Sequence, residues 1–296
     1  YSPGTSVSLN WHDGKLSGVI RHGHQTYNLA YSTMLERHII FDHQDTEEDF
    51  TFTCEQLMDE DYSEHIVQEF RKSNNNCQEA VNIYFECDYQ MYQNFGYDST
   101  AVVDYVVDLF TEVNLLYANE NLPILISQVV VWTSPDPYTQ GAFGIFDFQA
   151  ELNNSGFNGD LAHLLTNDNG ANGGLAYVDE LCGNSPFAYS DLVNSHDLYP
   201  AYSWDVQVVA HELGHNFGSR HTHECVWGPN GNEQIDDCGN VYNGTGGICY
   251  DPNNPIIPSE GGTVMSYCHL DPVGIDLMNG FGLQPGSLMR DKHDDC

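Results

Sequence analysis

The chain of 296 residues carries 8 lysines and arginines against 43 aspartates and glutamates, a formal net charge of −35, with an ordinary apolar fraction of 41%. That balance excludes recognition of nucleic acid or anionic lipid through a basic surface, while length and apolar content point to a folded protein with a substantial core. No apolar run approaches the ~18 residues needed to span a membrane.

The acidic excess reads foremost as a solvated, aggregation-resistant surface. Clusters holding Ca2+ are the alternative, although the acids are scattered and none forms an EF-hand-like loop. Nine cysteines fit an oxidising compartment, so secretion is expected. The chain opens on Tyr1 rather than Met, and an export leader, if there was one, is expected to have been removed or left out. Asn153-Asn154-Ser155 and Asn243-Gly244-Thr245 match the glycosylation acceptor pattern.

Residues 1–78 differ in texture from the rest. Short strands are predicted at Val7 to Leu9, Gly18 to Arg21 and Thr26 to Leu29, followed by polar, acidic linker. A compact α/β pattern then begins near Ala80. Val81 to Tyr89 is rich in β-branched and aromatic residues and predicts a strand. Ala101 to Tyr117 repeats apolar residues at helical spacing, through Val102, Val106, Leu109, Phe110, Val113 and Leu116. Pro123 to Trp132 predicts a buried strand, Phe146 to Leu152 a short helix, and Leu161 to Thr166 and Leu175 to Leu181 two further strands. Trp204 to Phe217 is a helix with a buried stripe of Val206, Val209, Ala210, Leu213 and Phe217; Trp204 and Phe217 are read as packing. Beyond it the chain turns Gly-, Pro- and Cys-rich, with a last short helix from Pro285 to Lys292.

The chemistry concentrates on that helix. His211 and His215, four residues apart, stand one turn above each other on one face. Gly218 can take the positive φ that ends the helix and swings His221 back as third ligand. Three imidazoles leave one position open on a bound Zn2+, the mark of a catalytic site. Glu212, beside the first ligand, is placed to take a proton from a metal-activated water and pass it to a leaving nitrogen. Downstream, Thr263-Val264-Met265-Ser266-Tyr267 puts Met265 in a tight turn as an apolar floor rather than a ligand. His163, His196, His223 and His269 have no partner at ligand spacing and are read as surface or core residues.

With these motifs the chain resembles the metzincin metallopeptidases, and among them the reprolysin-like (adamalysin, M12-type) group. Asp88-Tyr89-Gln90-Met91-Tyr92 is similar to the end of that family's first strand, and Asp160 to Thr166 to its third. Gly174-Leu175-Ala176-Tyr177-Val178, closing at Cys182, is similar to the edge strand along which substrates lie. The resemblance covers roughly residues 79–296. It implies an α/β (α+β) catalytic domain: a mixed twisted sheet with helices above, an irregular disulfide-rich subdomain below, and a horizontal cleft between. It implies a zinc endopeptidase acting on protein or peptide substrates, with Gly174, Leu175, Ala176 and Tyr177 along the substrate. A monomer is expected. Two departures stand out. Reprolysins usually follow the third His with Asp, whereas Thr222 and His223 stand here. Tyr267 also resembles the serralysin and astacin turns, which makes it a fifth ligand or oxyanion stabiliser, or else a packed ring.

The resemblance further implies a bridge from Cys182 to Cys296. Cys225, Cys238, Cys249 and Cys268 allow three connectivities, of which Cys225–Cys268 with Cys238–Cys249 is the chosen reading. A Cys77–Cys87 bridge would leave Cys54 free. In a prosegment formed by residues 1–78, a Cys54 thiolate could occupy the open zinc position and hold a zymogen latent until cleavage near residues 72–79. The alternatives are a free buried thiol or a pairing that leaves Cys77 odd. Two rival functions remain: a catalytically silent binding or adhesion module, against which the intact Glu212 argues, and a zinc exopeptidase. The loop Leu270 to Phe281 would line an apolar specificity pocket through Val273, Ile275, Leu277 and Met278, or pack the lower core.

Overall fold

The computed structural model describes residues 5–12, 15–22, 25–32, 37–42, 65–69, 80–168, 173–242, 244 and 247–296. An antiparallel meander opens the chain: β1 (Thr5–His12), β2 (Lys15–His22), β3 (Gln25–Ser32) and β4 (Arg37–Asp42). The three strands predicted there are longer than expected, and a fourth joins them.

The second sheet has six strands: β5 (His65–Glu69), β6 (Val81–Cys87), β7 (Ile124–Trp132), β8 (Leu161–Thr166), β9 (Gly174–Ala176) and β10 (Phe187–Asp191), in the order β5-β7-β6-β8-β10-β9. The four inner strands run parallel, and the two edge strands pair antiparallel to their neighbours. Every residue of β6 and β8 is buried, as in strands of a parallel sheet covered on both faces, even though β6 sets Asn82, Tyr84 and Glu86 between its apolar residues. The strand predicted to Tyr89 stops at Cys87. Asp88 turns the chain by accepting the Met91 amide at 2.7 Å, the N-cap of a short helix α1 (Tyr89–Asn94) that was not predicted.

Helix α2 (Ser99–Asn119) begins on Asp98, whose Oδ1 accepts the amides of Thr100 and Ala101 at 2.9 and 3.1 Å. Its apolar stripe, Val102, Val106, Leu109, Val113 and Leu116, packs with Ile83, Phe85 and Leu165 of the sheet and with helix α4 (Trp204–Asn216). Strand β1 also lies against α2. The opposite face of the sheet is covered by α3 (Gly144–Ser155), where Ile145, Phe148 and Leu152 meet Tyr84, Leu164, Phe187 and Tyr189. The six-stranded sheet is therefore the middle of a three-layer α/β unit, with α2 and α4 on one face and α3 on the other. No helix among the described residues is long and apolar enough to cross a membrane.

Past α4 the helical elements among the described residues are α5 (Cys238–Tyr242), two single 3-10 turns (Cys268–Leu270 and Leu277–Asn279) and the final helix α6 (Leu283–Asp295). The bridge from Cys182 to Cys296, expected by resemblance, ties α6 to the segment after β9. The other two differ from expectation. Cys225 joins Cys249 and Cys238 joins Cys268, in place of Cys225–Cys268 and Cys238–Cys249. The reason is packing: α5 lies on the turn at Cys268, which brings the Cα atoms of Cys238 and Cys268 to 5.0 Å, inside the ~4.4–6.8 Å range a bridge needs. The expected Cys77–Cys87 bridge is also absent. Cys87 is a free thiol, wholly buried at the end of the central strand β6 and packed into the main core. Cys54 and Cys77 lie outside the described residues.

Candidate metal centre

Helix α4 carries His211, Glu212 and His215 on a buried face. It ends as its sequence implies: Gly218 takes φ 94°, its amide donates to the His215 carbonyl at 2.9 Å, and the Ser219 amide returns to Gly214 at 3.0 Å. That reversal brings His221 back against the helix, with ring centroids 5.1 Å from His211 and 4.6 Å from His215. One nitrogen from each of the three rings lies within 4.8 Å of the others.

The opposite nitrogen of each ring is pinned. Nδ1 of His211 donates to the Val264 carbonyl and Nδ1 of His215 to the Ser219 carbonyl, each at 2.8 Å. Nδ1 of His221 lies 3.0 Å from Oε1 of Glu224. Carbonyls and carboxylates only accept, so each Nδ1 carries a proton and Nε2 is the atom left to face a metal. Burial foremost, then the neighbouring imidazoles, pushes His215 down to about 4 and His211 well below its ordinary value. The rings of His211 and His215 are therefore neutral at pH 7. The set fits a metal ion by its chemistry: three imidazole donors, aimed together, each with its Nδ1 anchored.

Around the triad, a Cβ added at Gly214 would lie 2.8 Å from Sδ of Met265. Met265, wholly buried, thus packs against the helix backbone between the two histidines, in keeping with a floor rather than a ligand. Glu212 is buried, and burial pushes its carboxyl up to about 8; a bound cation beside it would draw that value back down. The edge strand passes directly over it, since a Cβ on Gly174 would meet Oε1 of Glu212 at 2.3 Å. Tyr267 stands 4.8 Å from both His221 and His223, centroid to centroid.

Strand β9 is shorter than the predicted Leu175 to Leu181. After Ala176 the chain leaves the sheet, and the amides of Asp179, Glu180 and Leu181 donate to the His215 and Asn216 carbonyls at the end of α4. Tyr177 is held on all sides: its amide donates to Phe187, its carbonyl accepts from Asn216, and its hydroxyl donates to Gln149. The outer edge of Gly174–Ala176 ends the strand order.

The remaining histidines stay outside the triad. His163 is a core residue with Nε2 2.8 Å from the Ser190 hydroxyl, and burial pushes it down to about 3. His196 and His269 pack on Tyr105 and Trp204. His223 stacks on His221 at 5.0 Å. Thr222, where reprolysins carry Asp, is buried and donates to the Met265 carbonyl from its amide at 3.3 Å, so it joins the third ligand's loop to the Met turn. Ile275 and Leu277 of the expected specificity loop are buried in the core, whereas Met278 is exposed. Glu224 was missed in the sequence, although a carboxylate three residues after a ligand histidine is a readable sign of an orienting partner.

The family model Reprolysin_5, metallo-peptidase family M12, matches residues 77–271. The chain is 30% identical over 165 residues to disintegrin and metalloproteinase domain-containing protein 1 of Rattus norvegicus, covering 50% of this chain and 19% of that protein. It is 27% identical over 163 residues to protein 1a of Mus musculus, with the same coverage of 50% and 19%. The matched region therefore spans about a fifth of the length of these relatives. Metalloproteinase-II from Bacteroides fragilis superposes with a TM-score of 0.32 at 12% identity, over 75% of this chain and 68% of that one, too slight a likeness to carry an argument. On the strength of the family match, which covers most of the chain and includes the three histidines, the protein belongs to metallo-peptidase family M12 as a reprolysin-type metallopeptidase.

Proposed function

We propose that this chain is a secreted zinc endopeptidase in which His211, His215 and His221 hold the metal and Glu212 is the general base. The observation that carries the reading is the separation of Nε2 of His215 from Nε2 of His221, 3.2 Å. With each Nδ1 engaged elsewhere, both Nε2 atoms are left to face a shared ligand position. Tetrahedral nitrogen ligands about 2.0–2.1 Å from one zinc stand about 3.3 Å apart.

Bound there, zinc supplies a Lewis acid that lowers the pKa of water to about 7 and polarises a peptide carbonyl. The protein does the rest. Glu212, dry beneath Gly174, takes the proton of the attacking water and returns it to the leaving nitrogen. An extended peptide pairs with the outer edge of Gly174–Ala176, which lays its backbone across that carboxylate. The Tyr267 phenol, beside His221, donates to the developing oxyanion. Three disulfides support an extracellular setting.

Residues 1–78 are read as a prosegment whose Cys54 thiolate occupies the same centre. Three bridges take six of the nine cysteines and Cys87 is buried and free, so Cys54 and Cys77 are the two that such a prosegment has to offer a metal. The test is hydrolysis of casein and of a peptide library before and after limited trypsin treatment, with a chelator control and a Glu212→Ala variant. Internal cuts, chelator sensitivity and loss of activity in the variant are expected. Terminal trimming would favour the exopeptidase, and no cleavage by intact, metal-loaded protein after trypsin would favour a binding module. Equal activity before and after trypsin would remove the Cys54 switch.

A further inference from the structure

On the α3 face of the sheet, away from α4, a cavity of about 220 Å³ lies where the ends of β6 and β8 meet α1 and the loop after β7. It is lined by three carboxylates, Asp88, Asp136 and Asp168, and among the described residues by no lysine, arginine or histidine. Two of them are held firmly. Asp88 accepts the Met91 amide at 2.7 Å and the Thr166 hydroxyl, and Asp136 accepts the amides of Tyr89 and Tyr138 at 2.9 and 2.8 Å. A second observation is independent of the acids. Tyr189, whose side chain is 2% exposed, lines the same cavity, and its buried hydroxyl has no hydrogen-bond partner among the described residues. Such an atom calls for an explanation in a folded protein.

Size and spacing narrow the occupant. The cavity far exceeds the ~30 Å³ of one water and falls short of the ~300 Å³ where cofactor-sized pockets begin. Among the described residues, the acid, histidine and cysteine groups whose ligand atoms lie within 4.8 Å of one another are the metal triad and Asp236–Cys238–Cys268; the three aspartates are not among them. A bare divalent ion needs converging oxygens at 2.3–2.6 Å or closer, whereas an extended organic cation spans separated carboxylates and rests against aromatic walls such as Tyr89 and Tyr138.

We propose that this cavity binds the guanidinium or primary ammonium head of a basic side chain, with Asp88, Asp136 and Asp168 supplying the charge and the Tyr189 hydroxyl accepting a hydrogen bond. The site shares no residue with the metal centre and does not depend on the catalytic reading. Calorimetric titration of the full chain with N-acetyl-arginine amide tests it. Binding is expected to fall at least tenfold in Asp168→Asn and severalfold in Tyr189→Phe, and to be absent for the citrulline analogue. Asp168 is chosen because its neighbours Asp88 and Asp136 also hold the backbone. Tyr189→Phe should lose binding without lowering Tm, which a structural hydroxyl would not allow. Tighter binding of an alanine pentapeptide with a central arginine assigns the head group to a polypeptide, and equal binding to a free small amine. Three results would overturn the proposal: citrulline binding as well as arginine, an equal loss in the exposed-acid control Glu151→Gln, or stoichiometric Ca2+ binding that depends on Asp168.

Discussion

Oε1 of Glu224 holds both the imidazole and the backbone of His221, accepting Nδ1 at 3.0 Å and the amide at 3.1 Å. His221 lies beyond the end of α4, so it lacks the helix that orients His211 and His215. The carboxylate takes that role. Its pKa is drawn down to about 2, foremost by the His221 contact. Glu224→Ala should weaken zinc binding about 10- to 100-fold, the usual cost of losing an orienting partner. The metal-free fold should change little, because the pair is partly exposed. Glu224→Gln should lose less, since an amide oxygen still accepts. Competition against a chromogenic chelator measures both; unchanged affinity in both variants would remove the orienting role.

Two glycines lie where side chains would collide with the centre. A Cβ at Gly214 would stand 2.8 Å from Sδ of Met265 and 3.1 Å from Cε1 of Phe281. Gly214→Ala should therefore cost about 1–3 kcal/mol of stability through overpacking, outweighing its better helix propensity of ~1 kcal/mol. Urea unfolding decides the sign.

Gly174→Ala places its Cβ 2.3 Å from Oε1 of Glu212. Peptide hydrolysis should drop at least tenfold while zinc affinity stays unchanged, because no ligand moves. Equal loss of both would show that the strand supports the metal site rather than the base.

Glu112 offers a pH test remote from the metal. It is 2% exposed, accepts the Tyr199 amide at 3.0 Å, and burial raises its pKa from 4.5 to about 7. The folded state thus favours the protonated acid. That stabilisation is complete below the unfolded pKa and is lost as pH rises through about 7. Glu112→Gln should match the wild type near pH 4.5 and gain on it until about pH 7, by on the order of 3 kcal/mol at ~1.4 kcal/mol per unit. Chemical denaturation of both proteins across that range measures the difference; a gap that does not grow with pH would sink the assignment.

Disulfide mapping under non-reducing digestion should return Cys225 with Cys249 and Cys238 with Cys268. Cys87, at 0% exposure, should resist alkylation in the native protein and react on unfolding. Burial and the acids Asp88 and Glu86 also raise its thiol pKa and depress the reactive thiolate.

The residues alone determined what depends on neighbours in the chain. Helical period places His211 and His215 on one face, Gly218 ends that helix, and short apolar-rich stretches mark β6, β7 and β8. Each signal lies within a few residues of its effect. Tertiary structure decided the rest. Strand β10, Phe187–Asp191, is too short to stand out from loop, yet it joins β8 to the edge strand. The length of β9 was set by carbonyls at the end of α4, which took the amides that would have extended it. The cysteine pairing was set by α5 resting on the turn at Cys268, and the tautomer of His211 by a carbonyl 53 residues away at Val264. Contacts of that range leave no periodic trace in a single sequence, because packing chooses the partner and spacing does not.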